Sequence, residues 1–173
     1  FNPEANELST SRSRYTYDAL IVCPGIQLDW GKIEGLKESL GQNNVSSNYS
    51  FNHASYTWEM IRNFKGGTAI FTNPSSPIKC GGAPHKIMYL AVDYWRKKGI
   101  LDKCHVHYLS GSSIIFGIKE YAATLEEVIS RGNIQTHFGV NVVAVDGANH
   151  RISFESKEPS IQQIEGSFKD CNI

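Results

Sequence analysis

A single thiol, Cys80, stands between the proline-punctuated stretch Asn73-Pro74-Ser75-Ser76-Pro77 and the glycine pair Gly81-Gly82, with Lys79 before it and His85 and Lys86 soon after. The thiolate is the reactive form of cysteine, and neighbouring cations favour it, so these surroundings suit nucleophilic attack or thiol–disulfide exchange. Gly81 and Gly82 carry no side chains, which lets a flat ring or a second sulfur approach closely. Pro84 occupies the first turn of a predicted helix, where proline is tolerated, and the unpaired amides at that helix start favour negative charge. The competing reading is packing, because free cysteine is among the most buried residue types. The residues alone do not choose between the two.

The same junction excludes another chemistry. A nicotinamide dinucleotide needs glycines in the turn after the first strand and an acidic residue closing the second. Here the turn is Asn73-Pro74-Ser75-Ser76-Pro77, and the second strand closes on Tyr108-Leu109-Ser110-Gly111, so NAD binding is not expected. His105 and His107 lie two apart on a strand and share a face, with Cys104 pointing the other way. Two ligands fall short of the three or four that zinc takes, and a satisfied histidine pair on the sheet is the expectation, with no metal. Cys23 is expected to pack and Cys171 to lie in a polar tail. Ser110-Gly111-Ser112-Ser113 lacks the context of a phosphate nest or an activated serine. Trp58 and Trp95 follow helical spacing and are expected in the core.

The elements that must hold Cys80 can be read from periodicity. The strand 68–72 precedes the cysteine loop, and the helix after it presents Ile87, Leu90, Ala91 and Tyr94 on one face before Gly99 stops it. Residues 105–109 form a second strand. Tyr121, Leu125 and Val128, beside Ala122 and Ile129, mark a second helix ending at Gly132, and 134–137 a third strand. Strand and helix alternate, which implies a parallel α/β sheet of Rossmann type. Residues 140–145 and 151–155, separated by Asp146-Gly147, alternate as a small antiparallel layer, with 161–168 as its last strand. Upstream, 7–14 reads as a hairpin or exposed strand, 17–23 as a buried strand closed by Pro24-Gly25, 41–55 as a polar crossover and 57–64 as a short helix ended by Gly66-Gly67.

A chain of 173 residues holds one sizeable core, or one domain with a piece of another. Its formal net charge is zero, so no nucleic-acid surface is indicated. No apolar run approaches the roughly 20 residues of a membrane span. The four cysteines lack the spacing of a disulfide scaffold, which fits a reducing compartment, and the two matches to the glycosylation sequon, at Asn44 and Asn48, carry little weight without a secretory signal. A start at Phe1-Asn2-Pro3 without methionine leads us to expect an internal piece of a longer protein.

Two segments carry a resemblance. Tyr17-Asp18-Ala19-Leu20-Ile21-Val22-Cys23-Pro24-Gly25-Ile26-Gln27-Leu28-Asp29-Trp30 and Pro77-Ile78-Lys79-Cys80-Gly81-Gly82-Ala83-Pro84-His85-Lys86-Ile87-Met88-Tyr89-Leu90 resemble the sulfide:quinone oxidoreductases, the mitochondrial-type branch most. Ser47-Asn48-Tyr49-Ser50 and Phe116-Gly117-Ile118-Lys119-Glu120-Tyr121 extend the similarity, which runs from about residue 15 to residue 145.

The resemblance implies a flavoprotein of two dinucleotide-binding-type domains. Residues 1–50 would be the C-terminal part of the first lobe of the FAD domain and the crossover, and 51–173 the second, repurposed NAD-type domain. Cys80 matches one of the family's two catalytic cysteines. Pro24, Gly25, Lys79 and Gly81 are expected beside the FAD, whose main phosphate site would lie outside this chain, as would the second cysteine; Cys171 does not match it. The implied partners are sulfide, a quinone and a small sulfur acceptor such as glutathione or sulfite, and no nucleic acid. The implied location is peripheral on the mitochondrial inner membrane, or on a bacterial cytoplasmic membrane, through segments not in this chain, which alone is expected to be inactive. An NADH:quinone dehydrogenase of the same architecture and a non-catalytic sulfur-carrier module are the rivals.

Overall fold

A computed structural model describes residues 1–156 and the two-residue strand Cys171–Asn172. The predicted strand at 161–168 lies outside the described residues. The centre of the molecule is a four-stranded, wholly parallel sheet built from β3 (Gly67–Asn73), β4 (Cys104–Ser110), β5 (Ile134–Phe138) and β8 (Cys171–Asn172). Its order is β5-β4-β3-β8. Counted from β3 this is the 3-2-1-4 order of dinucleotide-binding folds, whose ligand crevice lies at the carboxyl ends of the strands where the order reverses. Cys171 is thus a strand residue beside β3 rather than part of a tail.

Alternation along the strands divides the core in two, because successive side chains leave opposite faces. On one face Ala69, Val106, Tyr108 and Ile134 meet Met88, Ala91, Val92 and Trp95 of α3 (Ala83–Lys97) and Ile61 of α2 (Phe51–Asn63), with the half-buried Ala122, Leu125 and Ile129 of α4 (Lys119–Arg131) beside them. On the other, Ile70 and Leu109 meet Val140 and Ile152 of the antiparallel pair β6 (Val140–Asp146) and β7 (Arg151–Ser156). The parallel sheet with its small antiparallel layer is therefore as expected.

The helix that follows the cysteine loop ends where the sequence indicates, by a recognisable device. Gly99 has a left-handed φ of +70°, its N–H donates to the Arg96 carbonyl at 3.0 Å, and the Ile100 N–H reaches back to the Trp95 carbonyl at 3.0 Å. This double bond satisfies carbonyls that the last turn leaves unpaired. The buried face differs from the expected one. It runs through Pro84, His85, Met88, Ala91, Val92 and Trp95, while Leu90 is 58% exposed. Trp95 sets the rotation, since its indole N–H donates to the Ile61 carbonyl at 2.9 Å and its ring packs on Phe64. Trp58 is half exposed, edge-on to Tyr94, and so is not the core residue expected.

The first fifty residues depart further from expectation. The hairpin is present as β1 (Glu7–Ser9) and β2 (Arg14–Thr16), but residues 17–23 form no strand. Ile21 is 87% and Val22 57% exposed. A strand needs a paired edge as well as apolar side chains, and no described strand pairs with this segment. Beyond the 3-10 turn Trp30–Lys32, the chain makes the single-turn helix α1 (Leu36–Ser39) and a tight turn in which Asn43 and Asn44 take left-handed backbone. The last third of the expected crossover is already helix, because α2 starts at Phe51, six residues before the predicted start. No helix among the described residues is long and apolar enough to cross a membrane.

Candidate functional site

The loop that carries Cys80 is braced at its base by two neighbouring elements. Asn73, the last residue of β3, donates from its side-chain amide to Ser110 Oγ at 3.1 Å and accepts the Gly111 N–H on its carbonyl at 2.9 Å. The Ser75 N–H donates to Asn141 Oδ1 on β6 at 3.1 Å. Ser110-Gly111-Ser112 therefore serves as a brace for the loop. Gly111 has to be glycine here, since a Cβ would collide with Asn141 Oδ1 and come within 2.6 Å of the Ser75 nitrogen.

At the far end the loop turns into α3. The Cys80 carbonyl accepts the Ala83 N–H at 3.1 Å and also the Tyr49 hydroxyl at 3.1 Å, so a residue from the segment before α2 reaches the cysteine turn. Burial, and then the nearby Cys80 sulfur, hold the Tyr49 phenol above its usual range, which keeps it a proton donor at neutral pH. Lys79 Nζ stands 6.0 Å from the centre of the Tyr49 ring. The Cys80 thiol is exposed, and Sγ lies 4.0 Å from where a Cβ on Gly82 would stand. Gly82 is the N-cap of α3 and has no side-chain cap. The sulfur thus lies beside the start of a 15-residue helix. Gly82 has ordinary right-handed backbone, so it contributes space rather than unusual geometry.

His85 does something other than the sequence suggested. Its residue is only 4% exposed, and burial lowers its pKa against the opposing effect of a hydrogen bond to the Gly81 carbonyl, so it adds no positive charge at neutral pH. Nε2 has no hydrogen-bond partner among the described residues. The ring is enclosed edge-on by Tyr89, Tyr108 and Phe116, with centroids 5.8, 6.2 and 5.8 Å away. Tyr89 is pushed up to about 12 by burial, and Tyr108 upward for the same reason first, so both phenols stay neutral.

Beside the loop a cleft of about 1110 Å³ opens, walled by Ile26 and Trp30 on one side and Asn73 and Ile78 on the other, with Tyr49 and Leu109 also lining it. Pro24 and Gly25 lead into the first wall, and Lys79, Cys80 and Gly81 follow the second; all are exposed. Gly25 has a left-handed φ of +76° and open space where a Cβ would be. Lys79, Cys80 and Gly81 are thus brought together with Tyr49. No hydrogen bond among the described residues joins Pro24 or Gly25 to them.

The remaining candidates separate cleanly. Cys104 is buried, its Sγ donates to the Ile100 carbonyl at 3.3 Å, and burial pushes its thiol pKa up, which makes it a packing residue. Cys23, expected to pack, is exposed. His107 Nδ1 lies 3.1 Å from His137 Nε2 with the rings stacked, so the histidine pair exists, but its second member comes from β5 rather than from His105. Among the described residues no group of three or more His, Cys, Asp or Glu is placed to hold a metal. Tyr49 was legible only as part of a resembling segment, and His85 only as a charge. The Tyr49 contact to the Cys80 carbonyl joins residues 31 apart in sequence and depends on tertiary placement that local sequence does not encode.

A parallel sheet of this order, with a thiol at the strand-to-helix junction where a phosphate loop would stand, belongs to the dinucleotide-binding α/β class. No family model matches the chain. It is 39% identical over 160 residues to the mitochondrial sulfide:quinone oxidoreductase of Dictyostelium discoideum, covering 91% of this chain and 35% of that protein. The protein of that name from Mus musculus is 39% identical over 155 residues, covering 89% and 34%, and that from Schizosaccharomyces pombe 35% over 161, covering 90% and 35%. The solved sulfide:quinone oxidoreductase of Aquifex aeolicus superposes with a TM-score of 0.67 at 22% identity, over 90% of this chain and 36% of that one. A chain of the Tetrahymena thermophila mitochondrial ATP synthase shares the fold, with a TM-score of 0.65 at 19% identity, over 89% and 40%. Over about nine tenths of its length the chain is similar to sulfide:quinone oxidoreductases named mitochondrial. It spans about a third of the length of the curated relatives it matches.

Proposed function

We propose that this chain carries the sulfur-handling cysteine of a sulfide:quinone oxidoreductase, and that Cys80 is that residue. The observation behind the reading is the exposed Cys80 sulfur seated over the N-cap of α3 at the carboxyl end of the parallel sheet, beside an open cleft. Hydrosulfide attacks a sulfur bridge between Cys80 and a second cysteine. One S–S bond forms and one breaks, giving a persulfide on one residue and a thiolate on the other. A small acceptor such as glutathione or sulfite takes the outer sulfur, and re-forming the bridge releases two electrons, which reduce a quinone to the quinol with two protons.

The largely apolar walls of the cleft suit a flat isoalloxazine ring. FAD, when bound, supplies the two-electron relay between thiolate and quinone. Gly81, Lys79, Pro24 and Gly25 are the residues of this chain that would border it. We place the boundary between the FAD-domain part and the second domain at residues 50 and 51, where α2 begins. By analogy with the relatives named mitochondrial, the site of action is the mitochondrion, peripheral on the inner membrane.

Cys80→Ser in the intact protein tests the reading. Sulfide-dependent quinone reduction should fall at least about a hundredfold, as expected when a nucleophile is removed. Unchanged turnover would overturn it. An absorption spectrum without flavin bands, or flavin reduced rapidly by NADH but not by sulfide, would overturn the cofactor and substrate assignments.

A further inference from the structure

Six prolines punctuate the chain, and only Pro77 follows a serine or threonine. The run Ser76-Pro77-Ile78-Lys79 therefore sets a hydroxyl directly before proline and a cation three residues after the hydroxyl. Proline has no N–H, so it suits a substrate groove that offers no acceptor to the residue after the hydroxyl. It also biases Ser76 toward extended backbone, the form in which a peptide lies along a groove. Lysine at the third position supplies a charge that an acidic or phosphorylated groove can fix. A proline-directed serine kinase recognises this combination. The structure presents the run to solvent. Ser76, Pro77 and Lys79 are exposed and Ile78 is half-buried. Residues 76–79 make no hydrogen bond among the described residues, whereas both flanks are fastened. The Ser75 N–H donates to Asn141 Oδ1 at 3.1 Å, and the Cys80 carbonyl accepts the Ala83 N–H and the Tyr49 hydroxyl, each at 3.1 Å. An enzyme can thus take up the run without breaking a ladder or a turn.

We propose that Ser76 is a phosphorylation site for a proline-directed serine kinase, and that its phosphate governs the entry of anions into the cleft beside Cys80. The γ-phosphoryl group of ATP passes to Ser76 Oγ. A P–O bond to serine forms, the bond to the ADP oxygen breaks, and the hydroxyl proton is released. Ser76 lines the cleft, so phosphoserine brings about 1.5–2 negative charges to its wall. Among the described lining residues Asp29, Glu59 and Glu155 already outnumber Lys32 and Lys65. Hydrosulfide is an anion, and like charge at the mouth of a cleft lowers its rate of encounter without altering the chemistry inside. This consequence rests on the reading of Cys80 as the sulfur-handling residue; the modification itself does not.

The test treats the intact protein with a purified cyclin-dependent kinase and ATP labelled at the γ-phosphorus, with peptide mass mapping to place the label. Native protein should be labelled on Ser76, and Ser76→Ala should take up no label in that loop. Pro77→Ala and Lys79→Ala should each slow labelling about tenfold or more, the size of effect that one lost recognition contact has. Labelled and unlabelled protein are then compared in sulfide-dependent quinone reduction. The phosphate should lower kcat/KM for sulfide about two- to fivefold at low salt, leave kcat unchanged, and lose its effect as ionic strength rises.

A Ser76 that takes no label, or labelling as fast in Pro77→Ala as in native protein, would overturn the site. Equal kcat/KM in labelled and unlabelled protein, or a fall that salt does not relieve, would overturn its control of anion entry. The two readings fail separately. If Cys80→Ser abolishes sulfide oxidation but Ser76 takes no label, the function stands and the modification falls. If Ser76 is labelled as expected but the native protein does not oxidise sulfide, the modification stands and the function falls.

Discussion

His107 and His137 share one short contact, Nδ1 to Nε2 at 3.1 Å, and only one proton can sit between them. Burial first, and then the neighbouring His137 and His105, lower the pKa of His107 to about 4, and burial lowers that of His137. A histidine whose folded pKa lies below its unfolded value binds protons more readily when unfolded, so the pair stabilises the fold fully above about pH 6.5 and loses that contribution as pH falls toward 4. Solvent still reaches both rings, which reduces the effect from the full linkage value to about 1–2 kcal/mol. The melting temperature should therefore drop between pH 7.5 and pH 5 by about 2–4 °C per kcal/mol, and His107→Gln should flatten the dependence. Equal melting temperatures for native protein at the two pH values would rule this out. At this scale residue types and faces are readable from the chain, but partners are not. That His105 and His107 share a strand face is readable, whereas the pairing with His137 requires the register that places β5 beside β4.

The strand-to-helix junction was legible as an element because its signals are local. The continuous apolar run of β3, Pro84 in the first helical turn and Gly99 at the stop each act within a few residues. Residues 17–23 misled for the opposite reason, since their apolar side chains suit a strand whose hydrogen-bonding edge must come from elsewhere. The buried face of α3 was misjudged because the deeply packed Trp95, tied to Ile61 on α2, fixes the helix rotation. The brace under the cysteine loop yields a prediction that belongs to these elements. Gly111→Ala places a methyl group against Asn141 and Ser75, both backed by the antiparallel layer, so the loop after β4 and the cysteine loop must part. The expected loss is about 1–3 kcal/mol, the usual cost of overpacking, with faster hydrogen exchange at the Ser75 and Gly111 amides and slower alkylation of Cys80. A variant that melts and alkylates like the native protein would show that the brace yields without cost.

Across the whole molecule, the first fifty residues are fastened to the antiparallel layer by a short parallel bridge. The Glu34 N–H donates to the Val143 carbonyl at 3.0 Å and the Val145 N–H to the Glu34 carbonyl at 2.7 Å. Gly35 follows with a left-handed φ of +69°, and a Cβ there would run into the Val145 carbonyl. Two independent constraints, backbone conformation and space, therefore demand glycine at this position. The bridge also positions the 26–33 wall of the cleft, which precedes it directly, against the Asn73–Ile78 wall that carries the chain to Cys80. Gly35→Ala should release the Glu34–Val145 bridge while leaving the parallel sheet intact, because β3, β4 and β5 pair without it. Hydrogen exchange resolved by residue would show this as lost protection at the Glu34 and Val145 amides with unchanged protection at Val106 and Tyr108. On the proposed flavin-binding reading, the same variant in the intact protein should weaken flavin retention, measured as flavin released on dilution, with little change in the alkylation rate of Cys80, whose carbonyl is held by Tyr49. Loss of protection throughout β3 and β4 would instead mean that the two parts of the chain fold as one cooperative unit, and that the cleft cannot be opened without unfolding the sheet that bears the thiol.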